Sequence, residues 1–273
     1  MAAIGTVHLN THNPDKLTTY YTERIGLQHL GTADGITQLG VGNHTLLALH
    51  HTPDAPHAPR TAGLFHFALL VPTRADLGAV LQHLIASNTR LSGASDHAVS
   101  EALYLTDPEG NGIEIYRDRP REDWYDGDRF LLTTVALDAD GVLADASDRP
   151  WSGLPDGTTM GHVHLHVADI TDAEAFYTDV LDMDIMMNVG SASFISYDGY
   201  HHHLGVNIWG GRKPAQPGAR GLRHWELHLA PNEYDKVLSR LADANWPVEH
   251  TSNGISVSDP SGVHVAIHNP ADT

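Results

Sequence analysis

Residues 107–116, DPEGNGIEIY, have a counterpart in residues 259–268, DPSGVHVAIH. Each opens with Asp-Pro-x-Gly, a turn signal, and continues as the apolar–polar alternation of a half-buried strand. Among the differences between the copies, Glu114 in the first is matched by Ala266 in the second. Working outward, four strand starts resemble one another: IGTVHLNT (4–11), GLFHFALLV (63–71), MGHVHLHV (160–167) and GLRHWELHL (221–229). Each carries a His after a short lead, and each precedes a helix-like stretch: PDKLTTYYTERI, TRADLGAVLQHLIASN, TDAEAFYTDVLDM and NEYDKVLSRLADANW. Asn13-Pro14 reads as an N-cap with Pro at the first helical position, and Thr73 with Asp76 three residues on resembles a capping box.

The repeat is therefore a strand, a helix and about three strands, present four times. His8 and His164 are 156 residues apart, His66 and His224 158, and Glu114 and Ala266 152, so the chain reads as a duplicated half of two units. An N-terminal domain is expected over 1–122, with modules 4–52 and 63–118. A C-terminal domain is expected over 158–273, with modules 160–211 and 221–270. Residues 123–157, rich in Asp, Pro and Gly, read as a connector with one extra strand, FLLTTVAL (130–137).

Composition narrows the function. The chain has 273 residues, 41% hydrophobic and 18% charged, which is ordinary for a globular protein. A formal charge of −18 argues against nucleic acid, whose binders carry basic stripes. No apolar run is long enough for a membrane span, and the start MAAIGTVHLN lacks the features of a signal peptide. With no Cys there is no disulfide and no thiolate chemistry, and a cytoplasmic location is expected. The unusual count is 21 His, the commonest metal ligand.

The four β-α-β-β-β units with these strand starts resemble the vicinal oxygen chelate superfamily, and among its members the two-domain extradiol catechol dioxygenases. The resemblance covers nearly the whole chain. It implies an α+β fold in which modules pair into two domains, each an open cup-shaped mixed sheet with outer helices and a metal on the inner floor. A metal that takes a catecholate through two oxygens, and dioxygen besides, needs three open positions. Two His and one carboxylate leave them open, as in non-haem Fe(II) oxygenases. The matching positions are His8, His66 and Glu114, taken as ligands of Fe(II), with Mn(II) or another divalent metal able to use the same set.

Residues 95–114, SDHAVSEALYLTDPEGNGIE, resemble the extradiol signature at His97, Leu103, Tyr104, Asp107-Pro108, Gly110 and Glu114, with one departure at Ser95. The resemblance gives Tyr104 a hydrogen bond to the bound substrate oxygen and places His97 as a donor facing substrate and dioxygen. It also calls for a catalytic His at the end of the first module, where His50 and His51 stand; alternation turns one inward. The implied partners are a small aromatic diol and O2, with self-association expected by family habit.

The second half keeps His164 and His224 but not the acid, and is expected to serve as scaffold. His264 or His268 is a less favoured third ligand there. Tyr200 with His201–His203 reads as a polar hairpin, a lid or a dimer contact. Arg117, Arg119 and Arg121 are expected to pair with Asp118, Glu122 and Asp123 rather than attract an anionic substrate, and Trp124, Trp209 and Trp225 to pack in cores. The alternatives to ring cleavage are a glyoxalase-like metal-dependent lyase or isomerase, which would not need His97 and Tyr104, and a metal-free binder of aromatic ligands.

Overall fold

The computed structural model describes residues 2–146 and 150–269. Residues 147–149 of the expected connector, and the ends of the expected domains at 1 and 270–273, lie outside the described residues. All four repeats are found as read. Each has a first strand, a helix and three further strands: Ala3–Thr11 to His44–His51, Gly63–Leu70 to Gly112–Asp118, Thr159–His166 to Leu204–Asn207, and Gly221–His228 to His264–His268. The fold is α+β with mixed sheets.

The caps act as their residue types dictate. Asn13 accepts from the Lys16 N–H with Pro14 in the first turn, and Thr73 accepts from the Asp76 N–H. In the first and third modules the helix widens at its end into a single π turn, Tyr21–Ile25 and Phe176–Val180, and each turn carries a fully buried Tyr. Those tyrosines reach the repeated Asp-Pro-x-Gly. Tyr21 donates to Asp107 at 2.7 Å and Tyr177 to Asp259 at 3.1 Å.

The two aspartates build the same turn. Oδ1 of Asp107 accepts the N–H of Glu109 and Asn111, while Gly110 takes φ +97°. Oδ1 of Asp259 accepts the N–H of Ser261 and Val263, with Gly262 at φ +81°. Left-handed φ is what glycine permits cheaply. The motif is thus a clasp that fixes the start of the strand bearing Glu114 or Ala266.

The chain divides into two compact units, each discontinuous in sequence: residues up to 12, 52–65 and from 161 onward, and residues 13–51 and 66–160. That is not a division at a connector over 123–157. In the first unit, Ala3–Thr11 pairs antiparallel with Gly221–His228, so the leading strands of modules one and four lie side by side. His264–His268 continues that ladder in parallel, followed by Gly254–Ser258 and Glu249–Thr251. Thr159–His166 runs parallel to Leu204–Asn207 in the same unit. In the second unit, Gln28–Ala33, Ile36–Val41 and His44–His51 form a meander, and Gly112–Asp118 runs parallel to Gly63–Leu70.

FLLTTVAL does not form one strand. Arg129–Phe130 pairs with Tyr125–Asp126, and Val135–Ala136 extends Gly93–Asp96. The break places Thr133 and Thr134 beside His97.

Candidate active site

His66 and Glu114 meet because parallel strands keep side-chain parity. His66 lies opposite Gly112 and Ala68 opposite Glu114, so His66 and Glu114 share a face. Ala68 and Ala102 pack with Tyr116 there, with Tyr104 and Leu70 against them. His66 Nε2 and Glu114 Oε2 approach to 2.9 Å, both side chains buried.

Tyr104 stands directly across from Glu114 in the antiparallel ladder, with its ring 5.8 Å from that of His66. Burial, and then the neighbouring Glu114 carboxylate, push the phenol far above its usual range, so it remains protonated. Its hydroxyl lies 2.7 Å from His97 Nε2. His97 sits in the turn between Gly93–Asp96 and Ser100–Thr106. Ala98 takes φ +66° there, and the Asp96 carboxylate accepts its N–H. His97 Nδ1 is 2.7 Å from the carbonyl oxygen of Thr133. A carbonyl only accepts, so Nδ1 carries the proton of the neutral ring and Nε2 is left to accept from the Tyr104 hydroxyl. The supposed connector therefore fixes the tautomer of His97, a role that no local sequence signal discloses.

The other expected residues fall elsewhere. His8 lies in the first unit, stacked on His224 with ring centroids 3.9 Å apart and Nε2 3.1 Å from Glu226. His66 and Glu114 of the expected triad lie in the second unit. His50 pairs with Ile36 and is half-buried, while His51 is exposed at the strand end. His201, His202 and His203 do not form an exposed hairpin: all three are buried, and His203 Nδ1 is 2.8 Å from Ser196 Oγ.

The arginines pair across strands instead of along the chain. Arg117 and Arg74 both hold Glu101, which is 1% exposed, and Arg119 reaches Asp96 and Glu101. Arg121 lies over the ring of Trp124. Trp124 and Trp225 are buried as expected, but Trp209 is exposed and stands edge-on to Phe65. No helix among the described residues is long and apolar enough to cross a membrane.

Known proteins give the site a context. The Glyoxalase/Bleomycin resistance protein/Dioxygenase superfamily model matches residues 3–115. A catechol-2,3-dioxygenase of Bacillus subtilis (strain 168) is 43% identical over 274 residues, covering 96% of this chain and 95% of that protein. Among solved structures, glyoxalase I from Zea mays superposes with a TM-score of 0.61 at 14% identity, over 99% of this chain and 94% of that one. The cppA protein from Streptococcus pneumoniae TIGR4 gives 0.57 at 12% identity, over 97% and 99%. Likeness at such identities speaks to fold alone.

Proposed function

The chain belongs to the glyoxalase/bleomycin resistance/dioxygenase superfamily, and we propose that within it the protein is an extradiol dioxygenase that cleaves a catechol-type diol with O2. The observation that carries this is the row Glu114, His66, Tyr104 and His97 on one enclosed face. The 43% identity to a catechol-2,3-dioxygenase of Bacillus subtilis supports it.

The donor set fits a divalent metal. Bonds of about 2.0–2.2 Å to an imidazole nitrogen and a carboxylate oxygen put neighbouring ligand atoms about 3.0–3.5 Å apart, close to the 2.9 Å found between His66 and Glu114. Fe(II) is the proposed ion, and when bound it supplies the redox chemistry that joins diol and dioxygen.

The chain's own groups do the rest. Tyr104, held protonated, donates to a substrate oxygen entering beside Glu114 and so orients the ring. His97, with Nε2 turned into the site, takes the proton that the substrate hydroxyl releases, and Thr133 keeps its ring in place. A lyase using the metal only as Lewis acid has no use for the Tyr104–His97 pair, which is why ring cleavage is preferred. His50 is kept as a further candidate at the site, with His51 the less enclosed of the two.

The test is anaerobic loading with Fe(II), then catechol and oxygen. A yellow, visibly absorbing product is expected from wild type and not from Glu114→Gln. A metal-free protein that binds planar aromatics tightly and makes no product would overturn the proposal.

A further inference from the structure

Alternation along Gly221–His228 puts His224, Glu226 and His228 on one face, and the fully buried Trp225 and Leu227 on the other. Neighbouring strands add two imidazoles. His8 lies opposite His224 in the antiparallel ladder, and His268 lies opposite His228 in the parallel one. Glu226 is the hub. Its Oε1 is 3.1 Å from His8 Nε2 and 3.2 Å from His268 Nε2. Its Oε2 accepts the Thr6 N–H at 3.0 Å and stands 3.6 Å from His228 Nε2. Gly5 makes room for the cluster, since a Cβ there would come within 2.3 Å of His228 Nε2 and 2.9 Å of Glu226 Cβ.

An imidazole can offer a ring-nitrogen lone pair to a metal and a carboxylate an oxygen. We propose that His8, His224 and Glu226 form a second divalent-metal site, separate from His66 and Glu114, with His268 and the Thr6 N–H holding the ligating carboxylate from behind.

One ligand atom from each of the three lies within 4.8 Å of the others. The 3.1 Å separation of His8 from Glu226 matches the edge of about 3.0–3.5 Å expected for bonds near 2.1 Å. Outer hydrogen bonds to a ligating carboxylate are the usual way such ligands are aimed. Two imidazoles and one carboxylate select Zn(II), Co(II), Ni(II), Mn(II) or Fe(II) over Ca(II) and Mg(II). The loss of the acid at Ala266 is then answered on the neighbouring strand, by Glu226, which lies opposite it in the ladder. The site does not rest on the ring-cleavage proposal.

The experiment titrates chelator-stripped, full-length protein with Co(II), following visible absorption and counting bound metal after desalting. Wild type is compared with Glu226→Gln, His224→Asn, His268→Ala and Glu114→Gln, each checked for folding by circular dichroism. Glu226→Gln and His224→Asn are each expected to release one equivalent that Glu114→Gln retains, with ring-cleavage activity unchanged in Glu226→Gln. His268→Ala is expected to weaken that equivalent about 10- to 100-fold without abolishing it. If folded Glu226→Gln and His224→Asn bind as much Co(II) as wild type, with the same spectrum, there is no such site. If instead Glu114→Gln releases nothing while Glu226→Gln does, this site stands and the metal proposed at His66–Glu114 falls.

Discussion

Replacing Tyr21 by Phe removes one phenolic oxygen and leaves the ring in its packing. Tyr21 is fully buried and Asp107 is 4% exposed, so the 2.7 Å hydrogen bond between them is shielded from water. Hydrogen bonds to charged groups contribute about 1.5–3 kcal/mol. Asp107 Oδ2 still accepts from Asn111 Nδ2 at 2.7 Å, so no buried oxygen is orphaned and the lower part of that range applies. A loss of about 2 kcal/mol at pH 7 is expected, read from urea denaturation followed by Trp fluorescence.

Burial first, and then the Asp107 charge, raise the Tyr21 pKa well above its ordinary value. The stabilisation this represents is fully present below the unfolded pKa of about 10 and is lost as pH rises beyond it, at up to about 1.4 kcal/mol per pH unit. The gap between wild type and Tyr21→Phe should therefore be flat to pH 9 and narrow above pH 10. Bound metal and catalytic rate should not change in folded Tyr21→Phe. A loss under about 0.5 kcal/mol at pH 7, or impaired catalysis with unaltered stability, would refute a purely structural role for the clasp.

Other outcomes follow from the same geometry. Tyr104→Phe should lower kcat about 100-fold or more with bound iron unchanged, since it removes a proton donor and no ligand; equal rates would exclude the role given to it. His97→Ala should lower kcat similarly in steady-state assays, with bound iron unchanged. Glu101→Gln leaves the buried Arg117 facing a neutral group and should cost about 3–5 kcal/mol in thermal or urea unfolding.

Much of the fold can be read in the sequence because each module announces itself locally. Asn13 and Thr73 mark helix starts, Asp107-Pro108 and Asp259-Pro260 mark turns, and alternation around His66 and Glu114 assigns their faces. Alternation says which way a side chain points, but not which strand lies alongside. Nothing local in IGTVHLNT selects GLRHWELHL as its partner, so the company His8 keeps, with His224 and Glu226, emerges only from the ladder. The same holds for Glu101, whose Arg117 partner lies across a strand pair, and for Thr133, which reaches His97 from a stretch resembling a spacer. His201–His203 misled because three consecutive imidazoles look solvated by composition, yet the strand end they precede is enclosed.

The central claim is that His66 and Glu114 hold the ion at which a catechol ring is opened. Its most direct test is the iron content of Glu114→Gln beside wild type, measured on folded protein reconstituted anaerobically and then assayed with catechol and oxygen. Glu114→Gln is expected to lose one equivalent of iron and all detectable yellow product while keeping its circular dichroism spectrum. Iron content and product formation equal to those of wild type would contradict it.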